Sequence, residues 1–292
     1  MTGAYSVRVL GRHRWLRPGA ASVLALAAMV AFGLMPVSAT TTNPFPSSST
    51  GIDVSYPNCG KPLPSSSSTF AIVGVTDGRP FTTYKCLSGL WKSAPLTVIG
   101  PESYQPSAYF NTGYSGAYGR DINVQACGNP GGSGFNPGLT AHAQKQADQA
   151  WEIGCSEASY AYATLAKAAT TQPFMLFADI ETGNSWSSNV TLNQYAIDGI
   201  SWGMAHTGST TSNSWGIYSS RSMWTTITGS AKWSPTTTTK STTPAVTANW
   251  VTGLEGGCPN SSTGSVFDTA VSTWLSQVTT GSIDTDKLCN VS

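Results

Sequence analysis

Short apolar runs recur along the chain, with helix-like segments between them. Residues 51–55, 70–75, 96–99, 107–111, 173–179, 214–218, 245–250 and 272–278 each have the length and side-chain type of a buried strand. Residues 141–169 place Ala147, Ala150, Trp151, Ala158, Ala161 and Leu165 on one face at helical spacing, which predicts a helix interrupted near Gly154. Residues 192–206 predict a second helix. Strands alternating with helices predict a parallel sheet. So many strands within about 240 residues predict an α/β fold: a single TIM-like β/α barrel with loops clipped by disulfides.

Several of the runs end in polar residues: Asp53, Asp77, Asn111, Asp179 with Glu181, and Tyr218. Barrel enzymes build their sites at the C-terminal ends of their strands, so these residues are expected at one rim. Asp179 and Glu181 follow the apolar run Phe174-Met175-Leu176-Phe177-Ala178 and stand two positions apart. In a strand that spacing puts both carboxyls on one face. Close carboxyls do not both ionise cheaply, so their pKa values are expected to split, one staying charged and the other keeping its proton. An isolated pair of this type also serves as a helix cap or a loop ion pair.

The organisation around this domain follows from composition. Four arginines (Arg8, Arg12, Arg14, Arg17) precede an uncharged stretch over residues 20–34, and Val37-Ser38-Ala39 supplies small residues for a signal peptidase. Residues 1–39 are therefore expected to be a secretory signal peptide, 40–50 a Ser/Thr/Pro-rich linker, and 51–292 the barrel. Residues 235–244 read as a surface loop. Removing the four leader arginines from the 15 Lys and Arg leaves 11 against 14 Asp and Glu, a net charge of −3. That balance argues against nucleic acid as a partner. No later segment is apolar for long enough to predict a membrane span. Charged residues are only 10% of the chain, against roughly 25% in ordinary soluble domains, and 10 Trp and 11 Tyr accompany a Ser/Thr-rich surface suited to sugars.

Cys59, Cys86, Cys127, Cys155, Cys258 and Cys289 all follow the leader, and an even count in an exported chain predicts disulfides. Six cysteines allow fifteen pairings; the preferred set joins sequence neighbours, Cys59–Cys86, Cys127–Cys155 and Cys258–Cys289. With no C-x-x-C pair and only His142 and His206 beyond the leader, neither a zinc site nor a histidine-based triad is expected, and no cofactor is called for.

The blocks that carry these residues resemble the family 25 glycoside hydrolases, the Chalaropsis-type lysozymes. Gly51-Ile52-Asp53-Val54-Ser55 is similar to that family's opening G-I-D-V-S, and residues 70–78 to its second-strand block. Ala178-Asp179-Ile180-Glu181 is similar to its D-x-E, Gly216-Ile217-Tyr218-Ser219 to its G-I-Y-T, Trp250 to its W-x-A segment, and residues 277–284 to its closing Q-Y…G-x-V-D. The resemblance implies that Glu181 is the general acid and that Asp179 stabilises the developing positive charge, with Asp53 and Asp284 in support. It also implies that the substrate's own 2-acetamido group attacks, and that the bond cleaved is the β-1,4 link after N-acetylmuramic acid in peptidoglycan. Asp77, Tyr109, Asn111, Tyr218 and Trp250 are the implied glycan-binding residues. Two blocks depart from the pattern: Asp77 stands where the family has glutamate, and Tyr109-Phe110-Asn111 where it has Tyr-His-Phe. A secreted monomer acting on cell-wall glycan is the expectation; the alternative is an inactive glycan-binding protein on the same barrel.

Overall fold

A computed structural model describes residues 43–46, 49–64, 68–128, 138–169, 171–235, 246–253, 258, 266–268, 271–280 and 283–289. The expected signal peptide, its cleavage site and most of the 235–244 loop lie outside these residues. In chain order the strands are β1 (Thr50–Val54), β2 (Phe70–Gly74), β3 (Thr97–Ile99), β4 (Glu102–Tyr104), β5 (Ser107–Asn111), β6 (Leu176–Asp179), β7 (Trp215–Ser219), β8 (Ala248–Val251), β9 (Thr273–Thr280) and β10 (Ile283–Leu288). The helices are α1 (Leu87–Ser93), α2 (Val124–Cys127), α3 (Ala141–Ala168), α4 (Val190–His206) and α5 (Arg221–Thr228).

Eight strands close into a barrel in the order β1-β10-β9-β8-β7-β6-β5-β2. The neighbours from β1 through β2, β5, β6, β7 and β8 to β9 are parallel, whereas β10 runs antiparallel to both β9 and β1. The α/β barrel is thus present, but it is mixed rather than all-parallel. No helix separates β8, β9 and β10 among the described residues. The run at 96–99 is not a barrel strand: it becomes β3, half of a separate hairpin with β4. Antiparallel neighbours need only a tight turn between them, which lets β9 lead directly into β10.

Period-two alternation divides the barrel residues between two cores. Outward side chains such as Ile52, Val54, Ala71, Val73, Leu176, Ala178 and Ile217 pack against Ala158, Ala161, Ile197, Ile200 and Trp224 of the surrounding helices. Inward residues Phe70, Ile72, Phe177, Trp250 and Leu275 fill the barrel. The interior closes by setting glycine beside aromatic rings: a Cβ at Gly51 would lie 2.2 Å from the Phe70 ring, and one at Gly216 would lie 2.4 Å from the Phe177 ring. The stretch expected as a free linker is partly docked here. Phe45 is buried, with ring centroids 4.7 Å from Phe70 and 5.4 Å from Phe174, and it plugs the end where the parallel strands begin.

Helix α3 is continuous through Gly154, against the expected interruption. The glycine serves a close helix crossing instead: a Cβ there would sit 1.9 Å from the Ala196 carbonyl oxygen of α4, and one at Gly199 would sit 2.0 Å from the Trp151 carbonyl oxygen of α3. Gly154→Ala is therefore expected to destabilise the protein by about 1–3 kcal/mol despite alanine's higher helix propensity, because backbone rather than a mobile side chain must yield. Gly89→Ala in α1, where a Cβ meets nothing within 4 Å, should instead be neutral or mildly stabilising. Urea midpoints of the two variants test the contrast.

All three disulfides join sequence neighbours as expected: Cys59–Cys86, Cys127–Cys155 and Cys258–Cys289, with Cα separations of 5.8, 5.7 and 5.3 Å. They point to an oxidising compartment. Among the described residues no helix is long and apolar enough to cross a membrane.

Candidate active site

The C-terminal rim of the parallel strands opens into a cavity of about 330 Å³ lined by four carboxyl side chains, Asp53, Asp179, Glu181 and Asp284, together with Tyr109, Tyr218, Trp250 and Gln277. Three of these arrive on parallel strands. Asp53 is the fourth residue of β1, Asp179 the last of β6, and Glu181 stands two residues further on, facing the same way. Asp284 arrives differently. Because β10 runs antiparallel, its beginning reaches this rim, and Asp284 lies directly opposite Asp53 in the β1–β10 register. The four expected carboxyls therefore converge. A larger groove of about 1050 Å³, between the end of β4 and the C-terminal ends of α3 and α4, is lined by no acidic or basic side chain; the groups able to do chemistry are in the smaller cavity.

Hydrogen bonds fix the cluster. Gln277 Nε2 donates to Asp53 Oδ2 at 2.9 Å, and Gln277 Oε1 accepts from the Tyr218 hydroxyl at 2.7 Å. Asn111 Nδ2 donates to Asp179 Oδ2. Asn111 Oδ1 accepts from Thr76 Oγ1 at 2.7 Å, and Thr76 Oγ1 in turn accepts from the Asn111 backbone N–H at 2.9 Å. Trp250 forms the floor, with its ring centroid 4.5 Å from Tyr218 and 5.9 Å from Tyr109; its Nε1 donates to Asp286 Oδ1 at 2.8 Å. The Trp186 indole donates to the Glu181 carbonyl oxygen at 2.9 Å and steadies the segment that follows β6.

Two expected site residues take other places. Asn111 does not line the cavity; it acts through Asp179 from the neighbouring strand, opposite it in register. Asp77 also lies off the cavity, half-buried past the end of β2, with its backbone N–H donating to Thr82 Oγ1. β2 ends at Gly74, and its alternation, with Phe70 and Ile72 inward, gives Asp77 the outward parity of Ala71 and Val73. Sequence reasoning passed over Gln277 as a site residue, and also Asp286. The second was within reach: Asp286 is two residues from Asp284 on β10, so the spacing that united Asp179 with Glu181 also unites these two. Gln277 stands opposite Asp286 on β9.

Electrostatically the site resists charge. Burial, with the neighbouring Asp284 and Glu181 carboxylates added, pushes Asp53 up to about 7 even though its bond from Gln277 pulls the other way. Burial, then Glu181 and Asp53, hold Asp179 well above the usual carboxylate range, with the Asn111 bond opposing. Burial raises Glu181 as well. Asp286 is fully buried and held high by burial, then by Asp53. Against the expected split of one charged and one protonated carboxyl, Asp53, Asp179, Glu181 and Asp286 are all harder to ionise than ordinary carboxyls, most of all the buried Asp179 and Asp286. Glu181 and Asp284, both half-buried, are the members open to an incoming ligand. The arrangement can deliver a proton and hold confined negative charge against a developing cation. Among the described residues no group of His, Cys, Asp and Glu is arranged to hold a metal ion.

Comparison with family models, with curated proteins and with solved structures returns no match for this chain.

Proposed function

We propose that this protein is a secreted glycoside hydrolase that cleaves β-1,4 bonds of peptidoglycan, working on a TIM-like barrel whose last units show no helix among the described residues. The observation that carries the reading is the convergence, at one rim, of Asp53, Asp179, Glu181 and Asp284 around an aromatic floor. Glu181 holds its proton above the ordinary glutamate range, so it remains a proton donor at mildly acidic pH. It protonates the glycosidic oxygen as the bond to C1 breaks. The oxygen of the sugar's 2-acetamido group attacks C1 and forms a cyclic oxazolinium. Water, giving its proton to the Glu181 carboxylate, then opens that ring and restores the acid. Asp179 and Asp53 face the developing positive charge; burial keeps them hard to ionise in the free protein, and the cation forming beside them favours their charged form. Tyr218 and Trp250 supply an aromatic face and a hydroxyl for sugar recognition.

The test is release of reducing ends from purified peptidoglycan by residues 40–292 with all disulfides intact. Turnover at pH 4–7 is the expected result. Retention on peptidoglycan with no reducing ends at any pH between 4 and 8 would replace this reading with that of a glycan-binding protein.

A further inference from the structure

A second groove adjoins the acidic cavity across Asn58. Asn58 lines both the cavity and a neighbouring space of about 520 Å³ between residues 59–63 and helix α1. The walls of this groove are built rather than loose. The Ser55 N–H donates to Asn58 Oδ1 at 2.9 Å, the Asn58 N–H donates to the Ser55 carbonyl at 2.8 Å, and the Lys61 N–H donates to the Asn58 carbonyl at 3.1 Å. The Cys59–Cys86 disulfide then ties this turn to the start of α1. The floor is apolar, from Leu63 and Leu90, and Lys61 is the one charged side chain lining it. No ion pair engages Lys61 among the described residues.

We infer that this groove receives the carboxylate-bearing peptide substituent of the glycan whose sugar occupies the acidic cavity, with Lys61 pairing the peptide carboxylate. The inference rests on the glycan reading above and extends it to substrate choice. An anionic branch would find no cation in the cavity, whose titratable side chains are carboxyls and tyrosines, so burying it there would leave its charge unpaired. The groove gives such a branch an exit past Asn58 to a cation. A disulfide-fixed wall also lowers the ordering cost of holding a flexible peptide.

The experiment compares initial rates on peptidoglycan bearing its peptide stems with rates on the same glycan after an amidase has removed them. Amidase leaves the lactyl carboxylate free where the stem-bearing chain has an amide, so it is coupled to methylamine before the comparison, which then isolates the peptide. The wild-type protein should show a KM roughly three- to tenfold lower on the stem-bearing chain at low salt, the range expected of one partly exposed charge-assisted contact, and added salt should shrink the difference. Lys61→Glu should abolish that preference and leave the stripped chain unaffected. Gly89→Trp fills the groove from a helix position where a new side chain meets nothing within 4 Å, and it should do the same without altering charge. Equal KM values for wild-type protein on the two substrates, or variants that impair both equally, would overturn the inference while leaving the hydrolase reading in place. Failure to bind or cleave either glycan would overturn both.

Discussion

Glu181→Gln will lower kcat on peptidoglycan by about 10²–10⁴-fold, roughly 3–5 kcal/mol of lost transition-state stabilisation, while glycan binding and the unfolding midpoint stay close to wild type. Glutamine nearly matches glutamate in shape but has no proton to give the leaving oxygen. The backbone that positions it is held independently of the carboxyl, through the Trp186 indole on the Glu181 carbonyl and the Ile180 N–H on the Tyr218 carbonyl. Burial raises the Glu181 pKa, so the wild-type rate should persist to higher pH than for an ordinary glutamic acid and fall as pH climbs through that raised value. In the variant this alkaline limb should disappear from the residual rate. Asp179→Asn should also slow the reaction, since it takes away the capacity for negative charge facing the cation. Steady-state rates across pH 4–8, paired with a pull-down on insoluble peptidoglycan, read both effects. An unchanged rate for Glu181→Gln would remove Glu181 from the chemistry.

The parts of this molecule legible in the sequence are those governed by short-range periodicity. Phe174 to Ala178 with Asp179 and Glu181 followed a two-residue alternation, and both carboxyls came to one cavity as that alternation requires. The cysteine pairs were legible because each spans a single excursion from the scaffold. What escaped was decided at longer range. Whether residues 96–99 joined the barrel depended on β5 taking the place beside β2, which no local pattern encodes. Gly154 looked like a helix breaker because its reason for being glycine, the Ala196 carbonyl of another helix, lies more than forty residues away. Phe45 sat in a stretch of linker composition, and only the open lower end of the barrel gives it a place. Asp286 was passed over because the polar run Ile283 to Leu288 was not among the strand-like segments, and its acidic members look solvent-facing until β10 is known to close the barrel with that face inward.

Thermal stability will be greatest at mildly acidic pH and will fall between about pH 4 and 7, the reverse of ordinary acid denaturation. The direction follows from proton linkage. Asp53, ordinarily near 3.8, is pushed to about 7 in the folded protein. Asp179, Asp286 and Glu157 are also held high, each chiefly by burial. Between the two values of such a group the folded chain binds more protons than the unfolded chain, so stability declines as pH rises. Below about pH 4 both states hold the proton and the penalty vanishes. For Asp53 alone the gap amounts to on the order of 3–4 kcal/mol by neutral pH. Asp286→Asn separates this effect from loss of packing, because an asparagine carbonyl can still accept from Trp250 Nε1 where Asp286 Oδ1 does now. Its melting temperature should match wild type near pH 4 and exceed it at pH 7–8, each kcal/mol recovered being worth about 2–4 °C in a domain of this size. Calorimetric scans of the two proteins at pH 4, 6 and 8 give the comparison. A variant that melts lower than wild type at every pH, including pH 4 where the carboxyl is neutral, would mean that Asp286 serves the fold through contacts the amide does not reproduce. The higher melting point would mean that the barrel tolerates buried acid for the sake of the cavity above it, the usual conflict between a stable core and a site built to hold charge.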